Sequence, residues 1–280
     1  GSAVYQLNIF IGTILASLLP KGSVSYLYYA DRVVELPLGV FAIAVGTATL
    51  PSLSKLAAEG AIDDLKKTLS FSMRLIFFIA IPATVALIIL RVPIISVLFQ
   101  RGAFGSHQAI LTAQALLYYA LGLWAFSVIR VIDAAFFALQ DRKSPLKAAF
   151  VALLINIVMS VALMYPLKHG GLALATSIAS VVNVLMLAVI LWGRIGQFWD
   201  GEFYRSLVKV LIASLMMGAA IFLVEFFLPW NIDASLGAKA IYLTTAIGTG
   251  LIVFFGASIV IHNEELAFFL EHLKRKIGRR

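Results

Sequence analysis

Apolar residues run along this chain in long stretches that short polar loops interrupt. A helix needs roughly 20 mainly apolar residues to cross a bilayer, and eight stretches meet or approach that length. The predicted spans are 3–19, 24–53, 70–90, 109–139, 146–165, 170–192, 205–228 and 238–261. The second span is polar in its first half and is predicted to break near Pro37. The pattern therefore predicts an all-α polytopic membrane bundle of about eight transmembrane helices.

The composition supports lipid as the solvent of this chain. Hydrophobic residues make up 61% of the 280 residues and charged residues 13%, whereas soluble domains are nearer half apolar and a quarter charged. The mean hydropathy is +0.98. Cysteine does not occur in the sequence, which excludes disulfides, thiol catalysis and thiolate metal sites.

The basic residues predict how the chain is oriented. The net charge is +8, and fourteen lysines and arginines fall in the loops after the second, fourth and sixth spans and in the tail. Only five fall in loops on the other side. The positive-inside rule therefore predicts that both chain ends are cytoplasmic, with basic loops near anionic lipid headgroups. Nucleic-acid binding is not expected, because the basic residues lie in short loops between apolar spans.

Two polar stretches indicate a division of the chain. A polar break at 194–204 predicts a six-span unit over 1–193 and a two-helix unit over 194–280 with a basic amphipathic tail. Residues 55–69 are also amphipathic and form either an interfacial helix or an ordinary connector. Because Gly1 leads almost directly into an apolar span, we expect the sequence to begin inside a longer protein.

The densest ionised cluster in an apolar context lies in the first half of the second span. It contains Asp31, Arg32 and Glu35. On a helix the two acids share a face, and Arg32 can pair with Glu35. Ionisable groups at membrane depth are costly and usually face a protein interior or a wet cavity. The cluster is either an ion-pair network that fixes helix packing or a substrate site where Arg32 binds an anionic group such as phosphate.

Two further clusters have a structural and a functional interpretation. Arg130 and Asp133 are three residues apart, so Arg130 either pairs with Asp133 or faces the same cavity as Arg32. Asn156, Ser160 and Thr176 suit interhelical hydrogen bonds. They are also weak candidates for a cation site, although no carboxylate stands among them.

Nothing in the sequence indicates an enzyme or a cofactor. A P-loop is absent, so ATP hydrolysis is not expected. The four histidines lie in loops or at helix ends and form no HExxH pair. No metal site is expected beyond the weak cation candidates.

Four segments resemble the MurJ (MviN) family of lipid II flippases, which belongs to the MOP exporter superfamily. The stretch GSVSYLYYADRVVELPLGVFAIAVGTATLPSLSKLAAEG at 22–60 is similar to the hallmark region of the family. LFQRGAF at 98–104, FFALQDRKSPLK at 136–147 and GGLALATSIAS at 170–180 resemble its later motifs in the same order. Together they cover most of residues 20–180.

The resemblance implies a fold of fourteen helices in two six-helix lobes and a final pair. Residues 1–193 would be the second lobe, the last two helices would form a groove for a lipid tail, and the first lobe would be missing. The implied partner is lipid II, moved from the cytoplasmic to the periplasmic leaflet of the bacterial inner membrane by alternating access. The resemblance places Arg32 in the central cavity, with Asp31, Glu35 and Ser25 near it.

The resemblance also bears on a sodium site. Some members of the family bind sodium through acids in the first and fifth helices of this lobe. Here the corresponding stretches contain Gly12, Thr13, Asn156 and Ser160 instead of acids. The sodium site of the family is therefore not carried over to this chain.

Three rivals compete with a flippase of this type. Another exporter of the same superfamily, for O-antigen or drugs, is disfavoured by the motif at 22–60. A membrane scaffold that transports nothing has no need of Arg32 within a span. A membrane glycosyltransferase or ligase is expected to carry larger polar loops with catalytic acids.

Overall fold

The computed structural model describes residues 2–268, and helices make up nearly all of this part of the chain. Ten α-helices lie wholly within it, residues 264–268 are helical as well, and a π-helical segment, Leu38–Ala42, joins the second helix to the third. The α-helices are α1 (Ser2–Ser17), α2 (Ser23–Pro37), α3 (Ile43–Ala58), α4 (Ile62–Ile89), α5 (Arg91–Phe99), α6 (Ser106–Ala138), α7 (Lys143–Leu167), α8 (His169–Ile195), α9 (Gly201–Phe227) and α10 (Leu236–Val260).

The all-α membrane fold predicted from the sequence is confirmed. Seven continuous segments of the described chain are long and apolar enough to span a membrane, and the first of them is α2 to α3 taken together. The remaining predicted span, 3–19, corresponds to α1, whose 16 residues extend about 24 Å at 1.5 Å per residue. That length is short of the roughly 30 Å hydrocarbon core.

Two details differ from the predictions, and a third prediction lies largely outside the described residues. An interfacial helix over 55–69 is wrong, because α3 ends at Ala58 and a turn with Gly60 at φ +69° separates it from α4. The connector is therefore a tight turn. The nine-residue helix α5 was not predicted, since it is too short to show as a span. The predicted basic amphipathic tail falls largely on 269–280, which lies outside the described residues.

The break in the second span has an identifiable cause. Pro37 has no backbone N–H and its ring crowds the preceding turn, so an α-helix cannot pass through it without adjustment. The backbone adjusts by widening into the π-helical segment that follows Pro37. Such segments are short and rare and occur frequently at functional sites. The prediction of a break near Pro37 is confirmed.

Helix α6 is the central element of the bundle. It contacts α2 and α3 on one side, α4 and α5 on another, and α8 on a third. Most of its length is buried, and it contributes to both large apolar clusters of the lobe. Helix α7 packs on α8, and α1 packs on α7. Helices α9 and α10 pack against each other and against α4 and α5, on the far side of the bundle.

The loops at one end of the bundle, together with the helix ends beside them, carry most of the described lysines and arginines outside the helix interiors, and we call this the basic end. It consists of the turn 59–61, the loop 139–142, the loop 196–200 and the turn 261–263. Ion pairs between Arg194 and Asp141 and between Arg74 and Glu264 join these loops and the adjacent helix ends. The opposite end consists of 18–22, 100–105, 168 and 228–235.

Small residues let the helices of the lobe approach closely. A side chain at Gly171 would meet the backbone carbonyl oxygen of Leu163 at 2.2 Å. A side chain at Gly170 would meet the ring of Tyr118 at 2.7 Å. Helices in lipid gain no hydrophobic free energy from association, so close packing through glycine is the main stabilising device.

We predict that Gly171→Ala destabilises the chain by about 1–3 kcal/mol or more, the cost of overpacking a close contact. The obstacle is the backbone of Leu163, which cannot rotate away as a side chain can. Thermal unfolding of the detergent-solubilised chain measures the effect. The matched control is Gly193→Ala in the same helix, where an added side chain meets nothing within 4 Å. Equal melting temperatures for the two variants would contradict the packing argument.

Candidate functional site

The ionised cluster in α2 forms a compact ion-pair network. Arg32 Nη1 lies 2.6 Å from Glu35 Oε2, and Arg32 Nη2 lies 3.5 Å from Asp31 Oδ2. The guanidinium also lies over the ring of Tyr28, 5.2 Å from its centroid. The i,i+3 spacing predicted the Arg32–Glu35 pair. Tyr28 was missed, although an aromatic residue four positions before an arginine is the signal that could have revealed it.

The network lies on a face of α2 that no described residue covers. The side chains of Arg32 and Asp31 are 49% and 41% exposed. Residues on the same helical stripe are exposed as well: Ser25, Tyr28 and Leu36. The opposite face of α2 is buried and carries Tyr26, Ala30, Val33 and Val34. The predicted site residues Ser25, Asp31, Arg32 and Glu35 thus share one helix, and Arg32 contacts both acids, while no described contact joins it to Ser25.

Aromatic side chains hold α2 from behind. Tyr29 packs against Phe99 at 4.7 Å and against Phe104 at 5.4 Å between ring centroids. Both phenylalanines belong to the LFQRGAF segment, which therefore packs against α2 through Tyr29. Tyr26 meets the ring of His169 at the start of α8, with centroids 5.3 Å apart. These contacts fix the rotation of α2 so that Arg32 points away from the lobe.

Arg130 occupies a different level of the bundle. It is exposed on α6, and its backbone carbonyl lies beside Gly46 of α3. Gly46 is fourteen residues beyond Arg32, a distance of about 20 Å along a helix. No direct ion pair with Asp133 is present in the described part of the chain. A role for Arg130 in substrate binding stays a prediction, as a second contact nearer the basic end.

The weak cation candidates come together in space. Asn156 Nδ2 donates to Thr176 Oγ1 at 3.3 Å, and Ser160 Oγ donates to Asn156 Oδ1 at 2.9 Å. A fourth member, Asn8 of α1, accepts from Asn156 Nδ2 at 3.0 Å. Sequence reasoning named Gly12 and Thr13 in α1 and missed Asn8, an amide in an apolar helix. The side-chain amide nitrogen of Asn156 donates to both Asn8 and Thr176. A cation between these oxygens would need an oxygen ligand in its place.

The D-x-K-S-P segment caps a helix. Asp141 Oδ1 accepts from the backbone N–H groups of Lys143 and Ser144 at 2.9 and 3.0 Å. Asp141 Oδ2 lies 2.7 Å from Arg194 at the end of α8. Burial raises the pKa of the Asp141 carboxyl, but the hydrogen bonds from Ser144 and Lys143 and the charge of Arg194 outweigh it, so this pKa lies below its usual value.

The described residues show no metal centre. They contain no group of three or more histidine and carboxylate side chains that could hold a metal ion. The cavity beneath Pro37 is small, mainly apolar and lined by Ile76, Leu123 and Ser127 among others, and the Arg32 network does not line it. The charged face around Arg32 is therefore the candidate functional site.

Long apolar helices packed around a broken helix, whose uncovered face carries an ionised network, define a polytopic helical membrane protein. The fold agrees with an outward-facing multidrug resistance MATE family transporter of the MOP superfamily (TM-score 0.58, 18% identity, 96% of this chain and 64% of that chain). At that identity the likeness shows the fold alone. The sequence profile described as "Lipid II flippase MurJ" matches residues 1–238. The chain belongs to the MurJ family.

Individual relatives agree with this assignment. A "Probable lipid II flippase MurJ" from Buchnera aphidicola subsp. Acyrthosiphon pisum is 36% identical over 83% of this chain and 46% of its own length. One from Rhizobium tropici is 33% identical over 98% of this chain and 51% of its own length. A solved structure, "Lipid II flippase MurJ, inward closed conformation", matches with a TM-score of 0.78 and 29% identity over 93% of this chain and 52% of that chain. The chain therefore spans about half the length of these relatives.

We predict that Asp141→Ala lowers the free energy of unfolding by about 1–2 kcal/mol, because α7 loses its capping acceptor and Arg194 loses its partner. Asp141→Asn keeps an oxygen for the cap and should cost less. Thermal unfolding at neutral pH measures the order. Because the pKa of Asp141 is lowered on folding, the difference between the wild-type chain and Asp141→Asn should shrink as the pH falls below about 4. An unchanged melting temperature in Asp141→Ala would show that the cap is not stabilising.

We predict that sodium does not selectively stabilise the wild-type chain, because an amino group occupies the centre of the Asn156 cluster. Asn156→Asp replaces that donor with an oxygen among the oxygens of Asn8, Ser160 and Thr176. The melting temperature of this variant should rise with sodium chloride and rise less with potassium chloride at the same ionic strength. An equal sodium-specific rise in the wild-type chain would show that the native cluster already binds the ion.

Proposed function

We propose that this chain is the second lobe and final helix pair of a flippase that carries lipid II from the cytoplasmic to the periplasmic leaflet by alternating access. The observation that carries the proposal is Arg32, a guanidinium on the uncovered face of a broken membrane helix in a chain of the MurJ family. A charged headgroup cannot cross hydrocarbon unaided, and a fixed cation facing a wet cavity lowers that barrier. Arginine suits a pyrophosphate because its planar fork donates parallel hydrogen bonds.

The acids beside Arg32 would make this binding reversible. Glu35 and Asp31 already pair with the guanidinium, so the network carries a formal net charge of −1. A pyrophosphate must compete with these carboxylates for the same N–H groups, and they recapture Arg32 when the substrate leaves. Because the pairs are about half exposed, each is worth little in free energy, on the order of 0–1 kcal/mol. Such weak pairs suit a site that must bind on one side and release on the other.

The uncovered face of α2 suits contact with the other lobe of the proposed flippase. Its exposed stripe continues into large apolar side chains such as Val40 and Phe41 around the π-helical segment. The relatives are about twice as long as the matched region, so a first lobe of the same protein is the proposed cover, and the cavity would close between the two lobes. Residues 1–193 would form this lobe and 194–280 the two-helix unit, whose groove would hold the polyprenyl tail.

The proposed location is the bacterial inner membrane, with the basic end and the C-terminus in the cytoplasm. The loops of the basic end and the helix ends beside them hold nine of the described lysines and arginines, against five at the opposite end, which is the bias that the positive-inside rule describes for a cytoplasmic side. The substrate would cross without bond making or breaking, so no catalytic residue and no cofactor is assigned. Membrane lipids would contact the apolar outer faces of α9 and α10, where Phe222 and Ile252 are 66% and 75% exposed.

We predict that Arg32→Ala, in the full-length protein that carries this chain and the first lobe, lowers lipid II flipping by roughly 10- to 100-fold, the loss expected for charge-assisted hydrogen bonds. Arg32→Lys should retain part of the activity, because it keeps the charge but not the fork. Flipping of labelled lipid II in proteoliposomes measures both. Arg101→Ala is the matched control, since within residues 2–268 that exposed arginine bonds only the carbonyl of Leu98. Wild-type flipping by Arg32→Ala would overturn the proposed function.

Glu35→Gln tests the role of the competing acid. Removing its charge should tighten lipid II binding by roughly two- to fivefold, the equivalent of a half-exposed ion pair, and slow turnover by a similar factor. Binding in detergent and flipping in proteoliposomes give the two numbers. Weaker binding in Glu35→Gln would mean that Glu35 orients Arg32 for the substrate instead of competing with it.

A further inference from the structure

A second arginine within the bundle is surrounded by acids at the basic end. Arg74 of α4 is only 8% exposed. Its guanidinium lies within ion-pair distance of three carboxylates: Glu264 at 3.2 Å, Glu265 at 3.3 Å and Glu202 at 3.4 Å. We call these four residues the Arg74 centre. It lies far from the Arg32 network, and the proposed transport step does not use it.

The three acids come from two places in the two-helix unit. Glu202 lies in the first turn of α9, whereas Glu264 and Glu265 directly follow the turn that ends α10. Glu265 is fully buried and also accepts from Ser206 Oγ of α9 at 2.8 Å. One side chain of the lobe therefore holds both helices of the pair at the same end.

The turn before these acids is itself held in place. His262 has a positive φ of 55°, which ends α10, and Lys209 Nζ of α9 donates to its carbonyl at 2.8 Å. The backbone N–H of Asn263 returns to the carbonyl of Ser258. This pattern is a helix C-cap with a left-handed residue. The C-cap directs the chain after α10 so that Glu264 and Glu265 reach Arg74.

The rest of the contact between α4 and the helices α9 and α10 is mostly apolar. Gly218 of α9 faces Val85 of α4, and Phe78 of α4 meets Phe254 of α10 with centroids 5.2 Å apart. Dispersion contacts of this kind are individually weak, whereas an ion pair joins two particular charged groups. At the opposite end Lys239 Nζ donates to Gln100 at 2.9 Å. The Arg74 centre is thus the charged contact that sets the register between α4 and the pair at the basic end.

Burying the Arg74 centre costs desolvation free energy. Glu265 Oε2 and both polar atoms of the Asn263 amide are buried and have no hydrogen-bond partner within residues 2–268. Buried ion pairs often contribute less stability than well-packed apolar residues of the same size. An interface that served only stability would gain from replacing this centre. Its directional pairs instead specify one arrangement.

We propose that Arg74 is a positioning residue that locks the basic end of α9 and α10 to α4, so that the pair moves with α4 as one body. The proposal rests on the proposed function in one respect: it keeps the surface that would hold the lipid tail in register with the lobe that binds the headgroup. The lock itself is a property of this chain and requires no substrate.

Distance measurements between spin labels test the lock directly. Since the chain has no cysteine, introduced cysteines are the only labelling sites. Lys67→Cys on α4 and Val208→Cys on α9 report on the basic end, and both positions are exposed. Ile110→Cys on α6 and Leu236→Cys on α10 report on the opposite end and are exposed as well.

We expect Arg74→Gln to broaden the distance distribution of the basic-end pair at least twofold and to leave the opposite-end pair unchanged. Arg74→Lys should restore part of the narrow distribution, which a general packing defect would not show. The matched control is Arg194→Gln, another ion-paired arginine of the basic end, which pairs with Asp141. A basic-end distribution in Arg74→Gln that equals the wild type overturns the proposal.

A second variant keeps the test decisive if Arg74→Gln does not fold. The double variant Glu202→Gln and Glu264→Gln removes two partners whose side chains are 67% and 62% exposed, so folding should tolerate it. It should broaden the same distribution, and an unchanged one again overturns the lock.

Flipping assays separate the lock from the proposed function. In the full-length protein, Arg74→Gln should slow lipid II flipping at least threefold without weakening lipid II binding. Normal flipping by Arg32→Ala together with a broadened distribution in Arg74→Gln would sink the transport function and leave the lock. Slowed flipping by Arg32→Ala with unchanged distances in Arg74→Gln would support the transport function and overturn the lock.

Discussion

Ionised side chains cost several kcal/mol within a bilayer unless they find a partner or water, and the described helices are arranged around the few that this chain carries. Arg32 lies on an uncovered face with two carboxylates beside it. Arg74 is enclosed at the basic end among three acids from the two-helix unit. Lys239, buried near the opposite end, bonds the amide of Gln100. The three solutions differ: the first is the proposed binding face, the second is the proposed lock, and the third is a buried hydrogen bond at the opposite end.

The remaining packing serves to hold these charges where they are. Because lipid supplies no hydrophobic force between helices, close approach through Gly171 and aromatic contacts around Tyr29 take over that role. The family motifs acquire a mechanical meaning from these contacts. LFQRGAF packs against the helix that carries Arg32, and D-x-K-S-P caps α7 through Asp141. These segments position the site without joining it.

Sequence reasoning worked where structure is local and faltered where it is not. Span length and hydropathy are properties of consecutive residues, so the long helices and the break near Pro37 were predictable. The pairing of Arg32 with Glu35 also followed from spacing on one helix. The turn at Gly60 and the short helix α5 depend on neighbouring elements, which is why the sequence left the stretch 55–69 open between an interfacial helix and a connector. The partner Asn8 was invisible, since 148 residues separate it from Asn156.

The sequence by itself determined the solvent, the fold class and which ionised residues fall within the apolar spans. Hydropathy and charge act through the free energy of transfer into lipid, which depends on composition and order alone. Only the tertiary structure decided that the face of Arg32 is open, that Arg130 lies at another level and that Arg74 joins the lobe to the two-helix unit. The physical reason is that exposure and pairing depend on which helices pack together, and those contacts join residues that are far apart in the chain.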